Sequence, residues 1–147
     1  MEKIGFGNKW IEWTKECFSS VSYNIIVNGK KSGTIFPSRG LKQGDPLSPY
    51  LFLLVMDVLS RMLNKAIEVK SLEGIKLGKE SPVLSHLFVA NDSLFFLPAK
   101  EKSAAMLKNI LEKFCVGSGQ SINLSKSSVV FSANVPELVR KERADQL

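Results

Sequence analysis

Apolar residues recur at helical spacing in three stretches of the chain. Trp10, Trp13, Cys17 and Phe18 predict a short helix over residues 8–20 with a core-facing stripe. Leu47, Leu51, Leu54, Val55, Val58, Leu59, Met62 and Leu63 predict a long helix over 46–67, apolar on most sides and buried against a sheet. On its one polar side Asp57 and Arg61 stand four apart, the spacing of an ion pair. Ala105, Leu107, Ile110, Leu111 and Phe114 predict a third helix over 102–115, stopped by the glycines at 117 and 119.

Between the helices the pattern changes to strands. Residues 23–27 and 33–36 are β-prone and flank Asn28-Gly29, a hairpin turn signal, with Lys30 and Lys31 near the tip. Residues 84–89 alternate, with Leu84, His86 and Phe88 on one side and Ser85, Leu87 and Val89 on the other. A tight turn at 90–93 leads to a returning strand at 94–97. His86 reads as a strand residue facing a neighbour, because no acid or nucleophile lies near it in sequence. Residues 74–78 form a weak strand and 128–132 another short one. The charged tail from Pro136 continues as a helix with too few apolar residues to dock firmly. The order predicts an α+β fold, helices behind a mainly antiparallel sheet.

Composition narrows the class. The 147 residues are 44% hydrophobic and 23% charged, which excludes a fully disordered chain. Lys and Arg number 20 against 14 Asp and Glu, a formal charge of +6. The excess lies in residues 1–79, with 12 basic and 7 acidic side chains. Such a balance suits a polyanionic partner, and equally suits plain solubility. Two cysteines, Cys17 and Cys115, and a single histidine exclude a Cys/His zinc site and a disulfide framework. Both cysteines read as small core residues in a reducing compartment. Residues 1–7 lack the apolar run of a signal peptide, and the apolar stretch 51–58 is too short to cross a bilayer. An intracellular chain without membrane contact is expected.

Two segments can carry chemistry. The first is the loop 37–49, with Arg39, Gly40, Lys42, Gln43, Gly44 and Asp45 between prolines. Its glycines let a backbone approach a ligand, and Arg39 and Gln43 can donate to bases, sugars or phosphates. The same residues also make an ordinary connector, with Asp45 capping a helix that starts at Pro46. The second is the turn carrying Asn91 and Asp92. A carboxylate at a hairpin tip can hold a divalent cation, and Asn and Asp are equally the residues of a plain turn.

Ser38-Arg39-Gly40-Leu41-Lys42-Gln43-Gly44-Asp45-Pro46-Leu47-Ser48-Pro49-Tyr50-Leu51-Phe52 resembles the finger-to-palm motif of reverse transcriptases from non-LTR retrotransposons, especially plant LINE-type elements. Residues 84–96 resemble that family's catalytic hairpin, which carries two adjacent aspartates after an alanine. Residues 119–127 are similar to the motif that follows, with Lys126 as its recurrent lysine. The first 28 residues look like the family's connector into the first motif, so the resemblance spans nearly the whole chain. It implies a right-hand polymerase that copies RNA into DNA from a DNA primer with two Mg2+ ions. Arg39, Gly40, Gln43 and Gly44 would line the template and incoming nucleotide. Asn91 and Asp92 would stand at the metal-binding, catalytic positions, and Lys126 near the triphosphate. The primer 3′-hydroxyl would attack the α-phosphate in line, one metal activating it and the other stabilising pyrophosphate.

Two departures from that pattern set the functional expectation. The family's further catalytic aspartate belongs to a strand upstream of residue 1, and the thumb would follow the last residue. The hairpin reads Asn91-Asp92 where the family reads Asp-Asp. An amide oxygen can ligate Mg2+ but brings no charge, and two cations about 3.5–4 Å apart need anionic ligands to stay together. The reading is therefore a partial palm with part of the fingers over residues 1–147, a catalytically inactive retrotransposon remnant opened at an internal methionine. The alternatives are a non-catalytic nucleic-acid-binding module and a partial polymerase completed by another chain. An unpaired sheet edge would favour self-association.

Overall fold

The computed structural model describes residues 1–38, 40–42, 44–90 and 92–146. The chain is α+β, with four α-helices and two separate two-stranded antiparallel sheets among the described residues. It divides into two compact units, Met1–Phe52 and Leu53–Leu147.

The first unit opens with a 3₁₀ turn at Glu2–Ile4 and helix α1, Asn8–Ser19. The expected core stripe on α1 does not form: Trp10, Trp13 and Cys17 are exposed, Phe18 is half-buried, and Thr14 is the buried residue of the helix. Local partners take the place of a core. Phe6 stacks on Trp10 with ring centroids 6.4 Å apart, Lys9 Nζ sits 5.0 Å over the Trp13 ring, and the Thr14 hydroxyl donates to the Trp10 carbonyl at 2.8 Å.

Strands β1 (Tyr23–Val27) and β2 (Lys30–Ile35) form the first hairpin, paired from Tyr23 with Ile35 to Val27 with Lys30, with an irregularity between Ile25 and Ile26. Asn28 and Gly29 both have positive φ, 50° and 76°, the signature of a type I′ turn. The Thr34 hydroxyl donates to Asn24 Oδ1 across the pair at 3.0 Å. Every residue of β1 is exposed.

Helix α2 runs Ser48–Glu68, two residues later than its apolar pattern predicts, because the chain at Pro46 and Leu47 is still a turn. Because of that later start Asp45 is not the capping residue expected: Leu47 directly precedes the helix, and Asp45 Oδ1 accepts from the Leu47 N–H at 2.8 Å within the turn that leads into it. Met56, Leu59, Leu63 and Ala66 form its buried stripe at spacings of three and four, with Leu63 at 0% exposure. Asp57 and Arg61 pair at 2.7 Å on the exposed side.

In the second unit the expected strand 74–78 reduces to a single bridge between Ile75 and Leu84. Gly74 sits tightly beneath it: a Cβ there would lie 2.6 Å from both the Leu84 carbonyl oxygen and Val83 Cγ1. Strands β3 (His86–Val89) and β4 (Asp92–Phe95) form the second hairpin, shorter at one end and shifted at the other from the expected 84–89 and 94–97. The correction places Asp92 inside the strand, paired with Val89. Ala90 takes φ 50°, which a two-residue hairpin turn demands.

Helix α3, Glu101–Ser118, buries Ser103, Ala104, Leu107, Ile110 and Phe114. Ala105 is exposed and Leu111 only half-buried, so the buried face is rotated from the expected one. Gly119 ends the helix at φ 72°. Residues 128–132 are not a strand, although they are β-prone: they have no strand partner among the described residues, and Val130 is 90% exposed. Helix α4, Glu137–Gln146, packs against α3. Its poverty in apolar residues is offset by Arg140, whose guanidinium donates to the carbonyls of Val135 (2.7 Å), Ala133 (2.9 Å) and Ser132 (3.3 Å).

Candidate nucleic-acid interface

The loop of the first unit is built by backbone conformation. Gly40 and Gly44 hold φ of 95° and 83°, and a Cβ at either would meet nothing within 4 Å. Glycine is required there by the left-handed backbone, and the open surroundings leave that backbone accessible to a ligand. The Ser48 hydroxyl donates to the Lys42 carbonyl at 2.8 Å and ties the loop to the start of α2. Arg39 and Gln43, two of the expected template- and nucleotide-lining residues, lie outside the described residues.

Beside this loop is a pocket of about 320 Å³ that sequence reasoning missed. Lys15, Phe18 and Ser19 enter it from the end of α1, Val21 and Tyr23 from the start of the hairpin, and Pro37, Ser38, Gly40, Leu41 and Lys42 from the loop. No signal in the sequence joins Lys15 to Lys42, because they are brought together only by the return of the hairpin.

In the second unit, Asp92 stands on one face of the β3–β4 hairpin with Leu87, Val89 and Leu94, all exposed. The opposite face holds His86, Phe88 and Phe95, with ring centroids 4.9 Å apart for the first pair and 6.2 Å for the second. His86 lies between two serines: Nε2 is 2.9 Å from Ser60 Oγ and Nδ1 is 2.8 Å from Ser85 Oγ. Burial pushes its pKa below the ordinary value. A ring so tied orients the hairpin on α2; it faces a neighbour, as expected. Asn91 lies outside the described residues.

Lys126 closes a 3₁₀ turn, Leu124–Lys126, and is exposed. Asn123 organises that turn: its carbonyl accepts from the Lys126 N–H at 3.1 Å and the Ser127 hydroxyl at 2.9 Å. Gly40 and Gly44 belong to the first unit, and Asp92 and Lys126 to the second.

Among the described residues no three of His, Cys, Asp and Glu gather closely enough to hold an ion. Asp92 has only apolar neighbours on its face of the hairpin. These residues do not by themselves fit a metal pair. Also among the described residues, no helix is long and apolar enough to cross a membrane.

Residues 1–144 match the family model of reverse transcriptase (RNA-dependent DNA polymerase). The chain belongs to the reverse transcriptase family. Reverse transcriptases generally use divalent metal ions. The chain is 50% identical over 69 residues to an uncharacterized mitochondrial protein of Arabidopsis thaliana, covering 47% of this chain and 57% of that protein. It is 29% identical over 130 residues to a retrovirus-related Pol polyprotein from a type-2 retrotransposable element of Drosophila melanogaster. That match covers 88% of this chain and 11% of the polyprotein. A Pol polyprotein from a type-1 retrotransposable element of Popillia japonica is 36% identical over 64 residues, 44% of this chain and 11% of its own length. The reverse transcriptase chain therefore spans little over half of the first relative and a small part of the two polyproteins. No solved structure matches it.

Proposed function

We propose that this chain is a palm segment of a retrotransposon reverse transcriptase domain with part of the fingers, over residues 1–147, and that as it stands it does not polymerise. The observation that carries the reading is in the sequence: a neutral Asn91 precedes Asp92 in a chain matched to the family over residues 1–144. Arg39, Gly40, Gln43 and Gly44 would line the RNA template and the incoming nucleotide, and Lys126 would approach its triphosphate. The accessible, left-handed backbone at Gly40 and Gly44 supports that role for the loop.

The hairpin's donor set is short. Asp92 is the only carboxylate in residues 84–97. Aspartate at position 91 would add the negative charge that an amide lacks, and polymerase chemistry depends on such anionic ligands. What remains is weak, salt-dependent contact with RNA template and DNA primer, led by the basic excess in residues 1–79. The exposed hairpin edges support self-association in the absence of neighbouring strands.

The test is Mg2+-dependent extension of a labelled DNA primer on an RNA template by four proteins. They are the chain itself, Asn91→Asp, the chain preceded by an upstream aspartate-bearing strand of the family, and the two changes combined. The expected result is extension by the combined protein alone. Extension by the unaltered chain, abolished by Asp92→Ala, would overturn catalytic silence.

A further inference from the structure

We propose that the pocket lined by Lys15, Phe18, Tyr23, Gly40, Leu41 and Lys42 seats one unstacked nucleotide of a single-stranded polynucleotide. The inference rests on the nucleic-acid-binding reading above and extends it to side chains outside the motif loop, on α1 and β1.

The chemistry of the lining selects the ligand. Lys15 and Lys42 bring two ammonium groups, and no carboxylate stands among the described lining residues. That combination suits a phosphate-bearing ligand. Phe18 and Tyr23 supply aromatic surface, and Leu41 extends the apolar wall. Tyr23 and Leu41 keep 40% and 39% of their surface exposed, so this wall is open to a partner from solvent. Two lysines alone would serve any anion, but aromatic surface in the same lining is wasted on a bare phosphate. A base, which offers a π-face whatever its identity, uses both parts.

Size and strandedness follow. A pocket of about 320 Å³ is at the small end of ligand sites and has room for a base with its sugar. A duplex keeps its bases stacked and paired and presents none to enter. A single strand can splay a base into the pocket while its flanking phosphates meet the lysines. The Ser38 hydroxyl and the accessible Gly40 backbone add hydrogen-bonding groups that carry no strict sequence preference.

The experiment is fluorescence anisotropy of a labelled uridine oligonucleotide with the whole chain, titrated at several salt concentrations. Replacing both lysines, Lys15→Gln with Lys42→Gln, should lower the salt dependence of log K by about 1.4, two phosphate contacts at about 0.7 each. Tyr23→Leu should weaken binding about fivefold or more without changing that slope. Lys102→Gln with Lys113→Gln, on α3, should change neither. Far-UV circular dichroism checks the folding of each variant, and the lysine pair, exposed at both positions, carries the test even if Tyr23→Leu misfolds. Parent-like affinity and slope in the pocket variants would overturn the pocket while leaving nucleic-acid binding intact. Failure of the parent chain to bind would overturn the broader reading, an outcome the variants cannot mimic. Uridine monophosphate competing as tightly as the oligonucleotide would overturn the strand and leave a free-nucleotide site.

Discussion

His86 Nε2 lies 2.9 Å from Ser60 Oγ, which hydrogen-bonds strand β3 to the middle of α2. The second ring nitrogen meets Ser85 Oγ at 2.8 Å, so a neutral imidazole donates through one nitrogen and accepts through the other. Ser60→Ala removes one of these contacts and leaves a half-buried ring nitrogen unpaired. A loss of about 1 kcal/mol in denaturant-unfolding free energy is expected.

The same ring sets a pH dependence. Burial holds His86 below its ordinary value of 6.5, so the unfolded chain takes up the proton more readily than the folded one. The stability is fully present above about pH 6.5 and is lost as pH falls through the lowered folded value. Thermal unfolding followed from pH 7.5 downward should show the melting temperature fall across that window. His86→Gln should flatten this part of the profile. An unchanged profile in that variant would assign the dependence to other groups.

Leu63 and the Asp57–Arg61 pair stand on opposite sides of α2 and should respond very differently. Leu63 is fully buried, and Leu63→Ala should cost about 2–5 kcal/mol by removing its contacts and leaving a cavity. The ion pair is largely in solvent, and Asp57→Ala should cost less than about 0.5 kcal/mol. Chemical denaturation of the two variants compares them directly.

Gly74→Ala tests a close approach. The added methyl would lie 2.6 Å from a backbone oxygen that takes part in the Ile75–Leu84 bridge and cannot swing aside as a side-chain end could. A destabilisation of about 1–3 kcal/mol is expected from the forced backbone shift. A neutral substitution in equilibrium unfolding would show that the 74–84 crossing opens freely.

The parts legible in the sequence are those in which a local rule decides the outcome. Asn28-Gly29 predicts its hairpin because both residues accept positive φ, and Asp45 predicts a turn at the entry to α2 because its side-chain oxygen reaches the N–H two residues on. The long stripe of α2 is readable because its apolar residues repeat at helical spacing over successive turns. The failures need information that is not local. Residues 128–132 have strand propensity and find no strand partner among the described residues, and α3 buries Ala104 rather than Ala105 because tertiary packing chooses among nearly equal faces. Trp10 and Trp13 look like core residues by spacing, yet Phe6 and Lys9 are what they meet. For the candidate site, Gly40 and Gly44 were readable as backbone requirements. Asp92 was readable as a residue of interest but not as a strand residue, since that depends on the turn closing over two residues. The pocket was not readable at all, because Lys15, Tyr23 and Lys42 share no motif.

Self-association is the last prediction, and it follows from each of the two sheets having two strands among the described residues. Such a sheet has an outer edge on both strands, and a flat edge with apolar neighbours pairs readily with another copy. The apolar neighbours are present: Ile26 is 69% exposed in β1, and Phe36, just beyond β2, is 76% exposed. Light scattering of the purified chain should therefore show a mass that rises with concentration. Ile26→Lys with Phe36→Lys should lower that rise, since a charge beside an edge opposes pairing and neither side chain is needed for a core. Because both positions face solvent, the fold should lose no more than about 0.5 kcal/mol per substitution. A monodisperse monomer over the accessible concentration range, unfolding cooperatively on heating, would mean that these edges are adequately guarded by Lys30 and Lys31, which begin β2 beside the turn.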